Sequence, residues 1–440
     1  MQKTLYLFGK IALPFLMGLL LVLSKFSENA HRIPWAQLPQ SLLFGLIVSG
    51  VAFGIFYAVP ITRKVAGLVS SVFVVITMLW MVFPSQLIPV ALMLLAIALL
   101  PKLQVKTVTA FCALILGVAC IVSLITAGVN TNRIPVQASQ NGEIRLLRTP
   151  DVYFIVPDRF TSPVGLLAMG YDNSAFVSYL RGEGFYVNEG ALSKDRINPT
   201  DRGVATTRTS RFMASVLNLG KEVDLNIPYN VCSQMIKYNK VVRILKSNGY
   251  KYYHIGDWWP ETETNPLADV NYVYKGGSFM PTEELPMVLL DRSIWRYVNT
   301  FGRSSDVHRN RNLFQSESLR EAVNATGPKF VFMHVLLPHP PFVWTANGTA
   351  QEEELAPYEL YIEQVKYAET FLKEIIEAVP DDAILIIQSD EGVCFTKPSL
   401  NYNLTNDQWR GVLGAWRVPG DASLVNIVDI LGYVIEKEAE

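Results

Sequence analysis

Four apolar runs, at 5–24, 41–61, 65–83 and 107–127, dominate the first 130 residues, each about 20 residues long and nearly free of charge. A helix of that length crosses the roughly 30 Å hydrocarbon core of a bilayer, and few soluble cores need four in succession. Lys10 lies close enough to the end of the first run for its ammonium to reach the interface along its own alkyl stem. A fifth run, 87–100, is shorter and carries Pro89 in its first turn. Counted as a span, it completes a bundle of about five transmembrane helices over residues 1–128.

Charge orients that bundle. Up to residue 130 there are eight Lys and Arg and a single acid, Glu28, so this part carries +7 and the overall −1 hides −8 over the remainder. With five spans and a cytoplasmic N-terminus, Lys3, Arg63, Lys64, Lys102 and Lys106 fall on the inner side, and only Lys25 and Arg32 on the outer. That is the positive-inside bias. Four spans would put the 63–64 and 102–106 loops on opposite sides. The expected product is a multi-pass plasma (inner) membrane protein whose C-terminal domain is extracytoplasmic. No small-residue cleavage site follows 19–24, so the first run reads as a span and not as a cleaved signal. The acidic remainder argues against nucleic acid as a partner, which calls for a basic surface. Cys112 and Cys120 lie within the last span; Cys232 and Cys394 are able to pair in an oxidising compartment, although their spacing does not require it.

Residues 129–149 are polar and read as a linker. From 150 to 440 the pattern changes to short apolar runs rich in β-branched and aromatic residues: DVYFIV at 151–156, KFVFMHV at 329–335 and AILIIQS at 383–389. Such runs suit buried strands of a parallel sheet. Helical stretches at 174–183, 240–248 and 353–379 alternate with these and with shorter strands at 185–187 and 250–255. The alternation predicts an α/β domain with a mostly parallel central sheet.

In open α/β sheets the reactive groups collect at the carboxyl ends of the strands. Asp158 follows the first run, His339 lies just past the second between prolines, and Asp390-Glu391-Gly392 follows the third. Converging carboxylates suit a divalent cation, and an added imidazole admits Zn²⁺. Each acid taken alone is as easily a turn or capping residue, and His334, inside its strand, as easily a core histidine.

The blocks at 150–158, 170–176 and 184–187, then 248–254, 332–342 and 386–392, taken in order, resemble the membrane-anchored sulfatase-like domains of the alkaline phosphatase superfamily, relatives of lipoteichoic acid synthases and phosphoethanolamine transferases. The resemblance implies an alkaline-phosphatase-like fold and a Ser or Thr nucleophile near a helix start. The stretch 209–218 (TSRFMASVLN) is similar to that segment and puts the nucleophile at Thr209, with Thr206, Thr207 and Ser210 as alternatives. A helix N-terminus there would favour an anionic group; a plain cap at Thr209 or Ser210 is equally sound physically.

By the same resemblance, Asp158, Thr209, Asp390 and Glu391 would hold the metal, while His339, His334 and Arg208 would bind the substrate's oxygens. The implied activity is metal-dependent hydrolysis or transfer of cell-envelope phosphoesters, with a membrane lipid or lipid-linked envelope molecule as substrate. The alternative is an inactive relative that binds an envelope polymer or a partner protein. Two departures bear on the site. The family commonly reads Asp-His-Gly where this chain has Asp390-Glu391-Gly392, which favours Mn²⁺, Mg²⁺ or Ca²⁺ over Zn²⁺. It commonly reads Asp-Gly where this chain has Asp158-Arg159. No Cys-x-Pro-x-Arg stretch occurs, so sulfate is the less favoured substrate.

Overall fold

The computed structural model describes residues 2–30, 33, 35–80, 87–99, 105–131, 144–188, 205–220, 229–275, 284–294, 304–353, 355–393 and 411–439. The chain forms two compact units: Met1–Pro135 with Gly277–Ser304, and Val136–Gly276 with Ser305–Glu440.

The first unit contains α1 (Gln2–Asn29), α2 (Leu38–Ala58), α3 (Ala66–Met78), α4 (Leu87–Leu99) and α5 (Val105–Thr131). Among the described residues, three helices have the length and apolar character to cross a membrane: Tyr6–Asn29, Trp35–Ala58 and Val105–Thr131. The other two expected spans are described as helix over shorter stretches than their apolar runs. α3 and α4 have 13 residues each, roughly 20 Å of helix against roughly 30 Å of hydrocarbon. α1 packs against α2, α3 and α5. Its Gly18 lies so close to α2 that an added Cβ would come 2.6 Å from the Gly45 carbonyl oxygen, and such small residues let membrane helices approach closely. The outer face of α5 leaves Phe111, Leu114, Val118, Ile121 and Ile125 exposed, a helical stripe suited to lipid. A helix from the C-terminal half of the chain, Glu284–Arg292, joins this unit. Its Leu285 and Leu289 are buried among Val22, Val48 and Val74, and the Leu285 amide donates to Gln37 Oε1 at 3.1 Å.

The second unit is built on a seven-stranded sheet: β1 (Val152–Pro157), β2 (Tyr186–Val187), β3 (Lys251–Ile255), β4 (Val270–Tyr272), β5 (Lys329–Val335), β6 (Ile384–Gln388) and β7 (Gly414–Arg417). Their order is β2-β7-β6-β1-β5-β3-β4. Strands β6, β1, β5, β3 and β4 run parallel, and the β7 pairings with β6 and β2 are antiparallel. The mostly parallel sheet is therefore as expected, with β4 and the antiparallel β7 added to the strands read from sequence.

Alternation along each strand splits the core into two layers. Tyr153, Ile155, Val331, Met333, Leu385 and Ile387 face helix Pro357–Ala378 and its neighbours. Phe154, Val156, Phe330, Phe332, Ile384 and Ile386 face helices Ala205–Val216, Lys240–Ser247 and Ile430–Ala439. With both faces covered, the central strands are continuously apolar, the feature that made them legible as strands.

Candidate metal centre

Strands β6, β1 and β5 are adjacent and parallel, so their carboxyl ends lie side by side. Val156 of β1 pairs with His334 of β5, and both continue the layer of Phe154 and Phe332. Asp158 stands two residues after Val156 and Asp390 two after Gln388, in the same alternation. The result is a buried cluster in which Asp158, His334 and Asp390 each offer one ligand atom, all within 4.8 Å of one another. His334 Nε2 lies 3.7 Å from Asp158 Oδ2.

Four atoms at this spot are buried without a hydrogen bond: Asp158 Oδ1, His334 Nε2, Asp390 Oδ2 and Glu391 Oε2. Buried polar atoms are nearly always satisfied, so a convergent set of orphans is unusual. The carboxylates of Asp158 and Asp390 and the imidazole nitrogen of His334 form a donor set for a divalent cation. The same cluster is electrostatically awkward on its own. Burial and the neighbouring Asp390 hold the Asp158 carboxyl well above the usual carboxylate range. Burial and Glu391 push Asp390 up to about 7. Burial holds His334 down at about 3, which leaves its imidazole neutral and able to bind a cation through a lone pair.

Thr209, itself buried, lies close enough to the Asp390 carboxyl to draw it down against the rise that burial causes. It does not start its helix, however. Helix Ala205–Val216 begins four residues earlier, so Thr209 sits in the second turn and the free amides of the N-terminus precede it. The anion site expected from a helix start at Thr209, and the capping role weighed against it, both fall away. The side chains of Thr206, Thr207 and Arg208 lie outside the described residues, as does Cys394. Ser210 is buried next to Thr209.

Glu391 is held by a neighbouring cation. Its Oε1 lies 2.6 Å from Arg159 Nε, and Arg159 Nε is 3.9 Å from Asp158 Oδ1. Arg159 has φ +64°, and the surroundings fix that turn. Its amide donates to Asp390 Oδ1 at 3.3 Å, its carbonyl accepts from Tyr361 OH at 2.8 Å, and the next amide, Phe160, donates to Ser389 Oγ at 2.9 Å. His339, half-buried beyond β5, donates Nδ1–H to the Pro340 carbonyl. Burial, and then Arg159, keep its ring well below the usual histidine range.

A second tier supports His334. Thr262 Oγ1 is 2.7 Å from His334 Nδ1, and His254 Nε2 is 2.7 Å from the Thr262 carbonyl oxygen. A carbonyl only accepts, so His254 carries its proton on Nε2 and its Nδ1 accepts from Tyr252 OH at 2.7 Å. Asp257, after β3, forms a buried pair with Arg311 at 3.3 Å, and Gln315 Nε2 donates to the Gly256 and His334 carbonyls at 2.9 and 2.7 Å. Asp257 follows a strand end just as Asp158 and Asp390 do, so the same rule would have found it in the sequence. Thr262, His254, Arg311 and Tyr361 reach the site through contacts that leave no local signal.

No protein-family model and no curated protein matches the sequence. Among solved structures, the chain is similar to the C-terminal periplasmic domain of EcEptC from Escherichia coli in complex with Zn, at 12% identity over 64% of this chain and 81% of that one, with a TM-score of 0.40. It is also similar to a protein in the alkaline phosphatase superfamily from Vibrio parahaemolyticus, at 12% identity over 68% of each chain and a TM-score of 0.41. A third is BT1596, a 2-O GAG sulfatase, at 10% identity over 66% of this chain and 71% of that one, with a TM-score of 0.39. TM-scores this low transfer no role to any residue here.

Proposed function

We propose that the second unit is a metal-dependent phosphoester hydrolase or transferase, held by the first unit at a membrane and acting outside the cytoplasm on lipid or lipid-linked envelope substrates. The observation that carries this proposal is the convergence of ligand atoms from Asp158, His334 and Asp390, each with a buried unsatisfied atom, with Glu391 next in sequence and Thr209 against Asp390. Asp158, Asp390 and His334 would hold the cation, with Glu391 and Thr209 completing its surroundings. His334, expected from the sequence to touch substrate, is proposed instead as a ligand, because its ring nitrogen lies within 4.8 Å of carboxylate oxygens of Asp158 and Asp390. Its nitrogen tilts the donor set toward Mn²⁺ or Zn²⁺ and away from Mg²⁺ or Ca²⁺.

A bound cation would lower the pKa of the Thr209 hydroxyl and offset charge on the phosphoryl oxygens. Thr209 Oγ1 then passes its proton to Asp390, which it already faces, and attacks phosphorus in line. The new bond is Thr209 O–P; the bond from phosphorus to the leaving oxygen breaks, and that oxygen takes the proton back from Asp390. Water or an acceptor hydroxyl next attacks the phosphothreonine, which restores Thr209 and releases the product. His339, and Arg208 by its place in sequence, are proposed to steady the anionic oxygens.

Five spans with an inner N-terminus, and three spans with α3 and α4 as a re-entrant pair, are both odd counts. Either places the basic loops at 63–64 and 102–106 inside and the second unit outside. The inactive alternative draws on the Arg159–Glu391 contact, which occupies one carboxylate oxygen.

Turnover of p-nitrophenyl phosphate by the full chain in detergent, with Mn²⁺ or Zn²⁺ added, tests the assignment. Thr209→Ala should abolish turnover and any acid-stable phosphothreonine found by mass spectrometry. Undiminished turnover would remove Thr209 from the chemistry.

A further inference from the structure

Arg159 is held in a conformation that resists it. At φ +64° a side chain crowds its own backbone, a strain of about 1 kcal/mol or more for a residue other than glycine. Three contacts from Asp390, Tyr361 and Ser389 hold the turn in place. The guanidinium this presents lies inside the carboxylate cluster, 2.6 Å from Glu391 and 3.9 Å from Asp158, with all three side chains at most 14% exposed.

Charge then limits what else the cluster accepts. Among the described side chains of the cluster, Asp158, Asp390 and Glu391 bring −3 when ionised, and Arg159 returns +1. Asp257 is balanced separately by Arg311. The remaining −2 matches one divalent cation; a second would leave the buried site at +2 before any substrate arrived, with the guanidinium beside it.

We infer that Arg159 is a permanent second cation of this site, so that the cluster binds one divalent ion and Arg159 binds an anionic oxygen of the tetrahedral substrate group. The inference rests on the metal-dependent assignment above. The planar fork of a guanidinium matches two oxygens of a phosphoryl or sulfuryl group at once. Arg159 also lies near enough to His339 to act on its ring electrostatically. When Glu391 turns to the divalent ion, the guanidinium gains the anion in exchange, and no buried charge is left alone.

Two binding measurements on the full chain in detergent separate this role from a merely structural one: Mn²⁺ titration followed by the electron paramagnetic resonance signal of the free ion, and inorganic phosphate binding by calorimetry at saturating Mn²⁺. The wild type should take up one Mn²⁺ per chain. Arg159→Gln should bind Mn²⁺ about tenfold more tightly, because a competing positive charge is gone, and phosphate at least about tenfold more weakly. Arg159→Lys should recover part of the phosphate affinity. Arg159→Gly, which relieves the backbone strain, should show the same opposite pair of shifts and so guards against misfolding of the glutamine variant. Two Mn²⁺ per wild-type chain, or both affinities falling together or staying unchanged in the variants, would overturn the inference and leave the metal site standing. A wild-type chain that binds neither Mn²⁺ nor Zn²⁺ would overturn the metal-dependent assignment itself, and this inference with it.

Discussion

Thr262 Oγ1 lies 2.7 Å from His334 Nδ1, and the Thr262 backbone is in turn held by His254 at 2.7 Å. Histidines that bind metals usually have their second nitrogen fixed in this way, and losing the partner weakens metal affinity by about 10–100-fold. Thr262→Val keeps the shape and removes the oxygen. It should weaken Mn²⁺ or Zn²⁺ binding by about that factor, and Thr262→Ser should restore it. Equal affinity in the valine variant would show that His334 is held by packing alone, through its edge contact with Trp259.

The turn beneath this contact tolerates no side chain. A Cβ on Gly256 would come 1.8 Å from the Thr262 carbonyl oxygen and 2.6 Å from that of Glu263, and both are backbone atoms that cannot move aside. Gly256→Ala should displace Thr262 and the adjoining Asp257, destabilise the second unit by about 2–4 kcal/mol, and lose metal affinity. Thermal unfolding and metal titration of the same preparation check both effects.

Away from the cluster, burial raises the Glu369 carboxyl to about 7, against the opposing hydrogen bond from Tyr171 and the nearby Lys373 and Lys366. A carboxyl raised in the folded state binds its proton more tightly there than in the unfolded chain. Stability from this group is therefore greatest at low pH and falls as pH rises from about 4.5 through about 7. The residue keeps some solvent contact, so the change is on the order of 2 kcal/mol and not the full shift. Glu369→Gln should flatten this part of the profile, unfolding roughly 5 °C higher than wild type at pH 8 and about equally at pH 4.5. A wild-type profile that rises from pH 5 to 8 by an amount the variant does not share would contradict this.

In the first unit, a Cβ on Gly18 would come 2.3 Å from Ser49 Oγ and 2.6 Å from the Gly45 carbonyl oxygen. Gly18→Leu should force α1 and α2 apart and lower the thermal stability of the detergent-solubilised chain, whereas Gly54→Leu, with nothing within 4 Å of its added Cβ, should not. Equal loss in both would mean that the close approach at Gly18 does not decide the outcome, since leucine for glycine favours the helix at either position.

What could be read from the sequence follows from where each signal is stored. Strands buried on both faces must be apolar throughout, so β1, β5 and β6 announced themselves, and the acids after them named the carboxylate part of the cluster. His334 was ambiguous because a single strand does not reveal its neighbour; pairing with Val156 sets it beside Asp158. Thr262 and His254 act through contacts between distant segments. The apolar runs at 65–83 and 87–100 suggested spans from composition, yet composition does not fix where a helix ends: α3 ends at Met78, and α4 is described over Leu87–Leu99. Helix Glu284–Arg292 carries Leu285 and Leu289 into the first unit's core, but its short amphipathic pattern resembles that of any surface helix.

The account depends most on Asp158, His334 and Asp390 closing around one ion. Crystals of the second unit, or of the full chain, grown with Mn²⁺ and measured at the manganese absorption edge, test this directly. The account predicts one anomalous peak within about 2.0–2.4 Å of an oxygen of Asp158, an oxygen of Asp390 and Nε2 of His334, and no peak there in Asp390→Asn. Manganese elsewhere on the chain, with these three side chains bonded only to one another, would contradict it.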